Sequence, residues 1–237
     1  MIARVLAAAG SLALALAVPA AAARTPSPEE RGRDLYGASC ATCHGQAGEG
    51  SDRGPSLRGA GAAGADYQLS TGRMPIPRPD VRPERQPPAF TEADIAALTA
   101  YVASLGTGPV IPRVRPGDVR QGRELYLATC ASCHSGSQAG GTLAHGLAAP
   151  PLLYSTPTQI AEAVRLGPGA MPAFPASVLS DAQLDAIASY LTTTRPQLDH
   201  GGAPLGGIGP VAEGAVALLA GLGLLLLFIR LIGKRAP

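Results

Sequence analysis

All four cysteines of this chain lie in two copies of one pentapeptide, Cys40-Ala41-Thr42-Cys43-His44 and Cys130-Ala131-Ser132-Cys133-His134. Both read C-x-x-C-H. A one-turn spacing lets two sulfurs meet one porphyrin edge as thioethers and holds the next histidine beneath the iron, which is the chemistry of c-type haem attachment. The same pairs suit a structural zinc ion with four thiolate ligands. However, 86 residues separate Cys43 from Cys130, and zinc does not require a histidine after each pair. A redox-active dithiol is the other alternative, but no βαβ pattern surrounds either copy. The cofactors expected are therefore two covalently bound haem c groups, one on Cys40 and Cys43 with His44 as an iron ligand, the other on Cys130 and Cys133 with His134.

The sixth iron position points to methionine. Apart from Met1, the chain has Met74 in Ser70-Thr71-Gly72-Arg73-Met74-Pro75 and Met171 in Gly167-Pro168-Gly169-Ala170-Met171-Pro172. A Met-Pro step in a loop can present its thioether, because proline stiffens the chain and stops a helix. Methionine as core filler is the competing reading, but one methionine per haem unit in the same local context favours Met74 and Met171 as distal ligands. Histidine opposite methionine raises a haem potential and fills the position where peroxide would bind. His145, in a Gly/Ala-rich loop, and His200, in a Gly-rich stretch, are the rival ligands and read as solvated.

The elements that must position these residues repeat as well. Gly32-Arg33-Asp34-Leu35-Tyr36 precedes the first pentapeptide and Gly122-Arg123-Glu124-Leu125-Tyr126 the second; Gly54-Pro55-Ser56-Leu57 follows the first and Ala149-Pro150-Pro151-Leu152 the second. Each unit closes in a helix, one begun by Thr91 with Asp94 three residues on, the other by the capping box Ser180 to Gln183. Ile95, Leu98, Val102 and Leu105 recur at helical spacing, as do Leu184, Ile187 and Leu191. The order is helix, haem motif, proline loop, methionine loop, helix. It resembles the class I cytochrome c fold, whose first and last helices cross beside the haem. That resemblance implies a role for Pro55 and Pro150, whose carbonyls would accept a hydrogen bond from the ligand histidine's other ring nitrogen and orient it. The fold expected is all-α, with two tandem class I cytochrome c domains and one C-terminal transmembrane helix. Units of roughly 80 residues without Trp have thin cores of their own, and the haem supplies the missing apolar mass. Pro-rich residues 107–116 read as a semi-rigid linker.

Residues 1–23 read as a secretory signal, with Arg4, an apolar run and small-residue cleavage choices; retention as a second membrane helix is the alternative. Domain 1 is expected over 27–106, domain 2 over 117–196, a tether over 197–210, a transmembrane helix over 211–232 and a cytoplasmic tail over 233–237. The apolar run Gly214 to Ile232 spans about 28 Å as a helix, close to a bilayer core of about 30 Å. Arg230, Lys234 and Arg235 at its far end put the C-terminus in the cytoplasm and both haem domains outside. From Arg24 to Pro210 there are 15 basic and 16 acidic residues, so the outer part is near neutral and nothing suggests nucleic acid binding. Arg73, Arg78, Arg82 and Arg85 gather around the first methionine loop; they suit haem propionates or an acidic partner, and read first as a solvated Arg/Pro loop.

Asp52-Arg53-Gly54-Pro55-Ser56-Leu57, Ser70 to Pro75, Met171-Pro172-Ala173-Phe174 and Leu205-Gly206-Gly207-Ile208-Gly209-Pro210 together resemble one family closely: the dihaem cytochrome c subunit of the actinobacterial menaquinol–cytochrome c reductase, the cytochrome bcc complex. The resemblance implies that partner subunits carrying b haems and a Rieske iron–sulfur centre oxidise the quinol. Electrons then pass through this subunit to a terminal cytochrome c oxidase. It also implies a first domain facing the oxidase and a second facing the Rieske centre. No catalytic residue and no small-molecule substrate are expected, because the haems carry the chemistry. The alternatives are the cytochrome subunit of a periplasmic dehydrogenase and a dihaem peroxidase.

Overall fold

The computed structural model describes residues 26–198 and 210–233. The stretches read as a signal, most of the tether and the tail lie outside the described residues. In the first unit, α1 (Pro28–Ser39) runs into the one-turn α2 (Ala41–His44), followed by α3 (Gly61–Ser70) and α4 (Glu92–Ser104). The second unit repeats the plan with α5 (Val119–Thr129), α6 (Ala131–His134), α7 (Pro157–Leu166) and α8 (Asp181–Leu198). A last helix, α9, covers Pro210–Gly233. The architecture is helical except for a two-residue antiparallel pair, β1 (Gly141–Thr142) with β2 (Ala148–Ala149). This hairpin has a simple cause. The chain takes 16 residues from His134 to Pro150 and only 11 from His44 to Pro55, so the surplus folds back on itself. His145 sits at its exposed tip with φ 59°.

Side-chain caps start these helices. Ser27 and Glu30 form a capping box, with the Glu30 N–H donating to Ser27 Oγ at 3.2 Å and the Ser27 N–H to Glu30 Oε2 at 2.7 Å. Asp118 Oδ1 accepts from the N–H groups of Arg120 and Gln121, and the Asp94 N–H donates to Thr91 Oγ1 at 3.2 Å. The Ser180–Gln183 box closes in both directions.

In each unit the first helix lies across the last. The contact is a glycine: a Cβ on Gly32 would fall on the Ala97 carbonyl, and one on Gly122 on the Ala186 carbonyl. Beside each crossing two tyrosines pack, Tyr36 on Tyr101 with ring centroids 5.1 Å apart and Tyr126 on Tyr190 at 5.6 Å. Ile95, Leu98 and Leu69 complete one core; Ile160, Leu184, Ile187 and Leu191 the other.

α3 and α7 are additions to the sequence-based plan, which has loops there. In α3, burial alternates over Gly61, Ala63, Ala65, Tyr67 and Leu69, because α4 packs on one side and α7 on the other. The two units thus meet along an α3–α7 seam. Gln159 Nε2 donates to Ser70 Oγ at 3.1 Å, and Arg85 Nη2 donates to Gln159 Oε1 at 2.6 Å. Glu162 is fully buried in this seam, and neither carboxyl oxygen has a hydrogen-bond donor. Burial first, then the Asp66 carboxyl, push Glu162 up to about 9. The linker is held at both ends. The Ala63 N–H donates to the Pro109 carbonyl at 3.0 Å, the Arg115 N–H to Asp185 Oδ1 at 3.1 Å and the Gly117 N–H to Ser189 Oγ at 2.8 Å.

Two outcomes follow from these contacts. Gly32→Ala or Gly122→Ala should destabilise its own unit by roughly 1–3 kcal/mol, the usual effect of overpacking, measured as a lower denaturation midpoint. Glu162 binds its proton more tightly in the folded chain than at its ordinary value of 4.5. Stability is therefore fully present below that value and falls as pH rises towards 9, by at most ~1.4 kcal/mol per pH unit. Glu162→Gln should flatten that fall and raise the thermal midpoint at pH 8 but not at pH 4.5.

Candidate functional site

The helices aim the pentapeptides. At the end of α1 the Cys40 N–H donates to the Tyr36 carbonyl at 2.8 Å, and the Cys43 and His44 N–H groups donate to the Cys40 carbonyl at 3.1 and 3.0 Å. The second unit has the same bonds, with Cys130 to Tyr126 at 2.8 Å and Cys133 and His134 to Cys130 at 3.2 and 3.0 Å. Each motif is thus a single tight turn with its two sulfurs one turn apart and the histidine at its end. The buried Tyr36 hydroxyl donates to the Gly45 carbonyl at 2.7 Å, and Tyr126 to the Ser135 carbonyl at 2.6 Å. Burial, the largest cause, pushes Tyr36 up to about 12 and Tyr126 higher still, so both keep the proton they donate. These anchors of the turn are functional residues that motif reasoning passes over. Their signal is a tyrosine four residues before the first cysteine in both copies.

The histidine rings are oriented by prolines. His44 Nδ1 is 2.8 Å from the Pro55 carbonyl, and His134 Nδ1 is 3.1 Å from the Pro150 carbonyl. A carbonyl only accepts, so Nδ1 carries the hydrogen and the Nε2 lone pair is left free. The proline loops are themselves tied back, with the Leu57 N–H donating to the Gly48 carbonyl at 2.8 Å and the Leu152 N–H to the Gln138 carbonyl at 2.9 Å.

The methionines reach the same places. The Met74 N–H donates to the Gln68 carbonyl at 3.1 Å, near the end of α3. Met74 packs against the Tyr36–Leu98 core alongside Cys40, Leu57 and Phe90. Cys43, His44, Pro55 and Met74 line one cavity of about 90 Å³. In the second unit Met171, Cys130, Leu152 and Phe174 pack on one core, and His134 is buried. Arg165 holds that methionine loop. Its Nη1 donates to the carbonyls of Phe174 and Leu179, both at 2.7 Å, and its Nη2 pairs with Asp181 at 2.5 Å. The sequence alone gives no sign of this role.

The rival chemistries fare differently. Burial, and then the neighbouring cysteine, push Cys40 and Cys130 up to about 11, the reverse of the depressed thiol a redox dithiol needs. Among the described residues no three His, Cys, Asp or Glu side chains converge on one point. His145 stands exposed on the hairpin, and His200 lies outside the described residues. The arginine group around Met74 divides: Arg78 and Arg82 are exposed, whereas Arg73 and Arg85 are half-buried.

Comparison with known proteins agrees with this geometry. The family model described as cytochrome c matches residues 29–106, and that of the cbb3-type cytochrome c oxidase subunit III matches residues 117–191. The cytochrome bc1 complex cytochrome c subunit of Corynebacterium diphtheriae is 35% identical over 87% of this chain and 81% of its own length. That of Mycobacterium bovis is 37% identical over 89% of this chain and 84% of its own. This chain belongs to the bc1 complex cytochrome c subunit family. Its two units are cytochrome c domains, which bind haem c, and it is an electron carrier of the respiratory chain. Its final helix includes Gly214–Gly233, 20 residues of mean hydropathy 2.6, long and apolar enough to cross a membrane.

Gly54 gives a test of the ring orientation. A Cβ there would lie 2.8 Å from the Cys43 carbonyl oxygen and 3.1 Å from His44 Nδ1. Gly54→Ala should weaken the bond from His44 to Pro55, make the ring a poorer electron donor, and raise the potential of the first domain's haem alone, read by redox titration of the visible spectrum.

Proposed function

We propose that this chain is a membrane-anchored dihaem relay that takes electrons from the cytochrome b and Rieske iron–sulfur subunits of a quinol-oxidising complex and hands them to a terminal cytochrome c oxidase. The observation that carries the reading is the complete duplication of one donor set. In each unit the first cysteine of a C-x-x-C-H turn and a methionine pack on one core, and a prolyl carbonyl meets the histidine's Nδ1.

The residues fit the group. Cys40 and Cys43, and Cys130 and Cys133, would form the thioethers. His44 and His134 would bind iron through the free Nε2, and Met74 and Met171 through their thioether sulfurs. When bound, each haem supplies a one-electron ferric–ferrous couple. The protein's own part is to hold the ligands, exclude water and set the potential through ligand choice and the Pro55 and Pro150 carbonyls. A histidine and a methionine for each iron would leave no open position for peroxide, and the relay reading is preferred to a peroxidase. Helix α9 would anchor the chain, with Arg230 and the basic residues beyond it on the cytoplasmic side and the haem domains outside.

Purification from the native membrane should bring down b haem and a Rieske centre; a flavoprotein or quinoprotein partner instead would overturn the assignment. The mature chain should exceed its polypeptide mass by two porphyrins. Met74→Ala and Met171→Ala should each lower the potential of one haem only, and equal shifts at both, or none, would count against the ligands named.

A further inference from the structure

Three guanidinium groups gather where the two domains meet. Arg73 lies over the Tyr67 ring at 5.0 Å and leads directly into Met74. Arg85 crosses from the first domain to the second, donating through Nη2 to Gln159 Oε1 at 2.6 Å and Ser155 Oγ at 3.3 Å. Arg195, from α8, donates through Nη2 to the Leu152 carbonyl at 3.2 Å and to the Ser155 carbonyl. Ser155 therefore touches both Arg85 and Arg195.

Their charge is uncompensated. Arg31, Arg33, Arg78 and Arg165 all have carboxylate partners, but among the described residues none lies within 4.0 Å of Arg73, Arg85 or Arg195. All three are half-buried. Arg73 Nη1 and Arg195 Nε are buried donors without an acceptor. Burial and then Arg73 hold Arg85 below the usual guanidinium range, and burial and then Arg85 do the same to Arg195. Glu162, buried on α7 of the same seam, keeps its proton at neutral pH and offers no counter-charge. Crowded, partly desolvated like charges with orphaned donors are unfavourable unless an anion lies among them, and the planar fork of arginine matches a carboxylate.

The position of the cluster identifies the carboxylate. Arg73 adjoins the methionine assigned to the first haem. Arg195 grips the backbone of Leu152 and Ser155, just after the Pro150 carbonyl that orients His134. One end of the cluster touches each haem-binding wall, and every haem carries two propionates. We propose that Arg73, Arg85 and Arg195 form a single carboxylate-binding site at the domain seam that takes propionates of both haems. The inference rests on the dihaem reading above. Arg85, in the middle, then couples the two haems electrostatically and makes closure of the seam depend on haem loading.

The test uses the full-length, haem-loaded chain and the variants Arg85→Gln, Arg195→Gln and Arg85→Lys. Losing a positive charge beside a propionate favours ferric iron. In redox titrations resolved by haem, Arg195→Gln should lower the potential of the second domain's haem, and Arg85→Gln should lower both. Arg85→Lys should retain most of the original values. A propionate deprived of its guanidinium also takes up a proton more readily. The lowered potentials should therefore gain a pH dependence between about pH 5 and 8 that a merely structural role would not produce. Unchanged potentials and flat pH profiles in both glutamine variants would overturn the proposal. So would potentials of the unaltered chain that shift with added inorganic phosphate, which would mark an exchangeable anion at the site. If Arg85→Gln fails to incorporate haem, Arg195→Gln and Arg85→Lys decide the matter. A porphyrin mass other than two refutes the underlying dihaem reading and is read separately from these potentials.

Discussion

Backbone meets backbone where α1 crosses α4 and where α5 crosses α8, at Gly32 and Gly122, and no residue with a Cβ fits either crossing as it stands. Much follows from that closeness. It stacks Tyr36 on Tyr101 and Tyr126 on Tyr190, and the same tyrosines reach on to tie down the turn after each histidine. The helix crossing thereby fixes the attachment turn through one side chain. The cores around it are small, with alanine and tyrosine prominent, as expected for domains of this length that rely on a bound macrocycle for apolar mass.

The candidate cysteines, histidines and methionines stand out in the sequence because haem attachment demands particular residue types at fixed spacing, and such a demand survives in one dimension. The last helix of each unit was legible through its caps and its apolar period. The middle helices were not. α3, Gly-Ala-Ala-Gly-Ala-Asp-Tyr-Gln-Leu-Ser, has no side-chain cap and is covered on two sides, so its burial alternates like that of a strand. α7 did carry a signal in its Thr156–Gln159 capping box with Pro157 at the first turn, but Gln159 and Glu162 face another domain, a relation that local pattern does not encode. Arg85 shows the same limit. In sequence it belongs to an Arg/Pro loop, and only the seam makes it a bridge.

The two units diverge in their loops. The second carries the β1–β2 hairpin between its histidine and its proline, while its methionine loop is short and braced by Arg165. The first has a long proline-rich passage from Met74 to Thr91, and from it Arg85 extends to the second unit. The two units carry matching candidate residues on shared elements, and the loops between those elements make them unequal.

The linker is Pro-rich, and both of its ends are sewn down, at Pro109 onto α3 and at Arg115 and Gly117 onto α8. A swinging arm would have to search for its collision geometry on every turnover, and its speed would follow solvent viscosity and ionic strength. A strap stitched at both ends permits no such search. In the proposed relay the internal hop would then be tunnelling across a constant gap, paced by driving force and reorganisation energy, with diffusion confined to the exchanges with its partners.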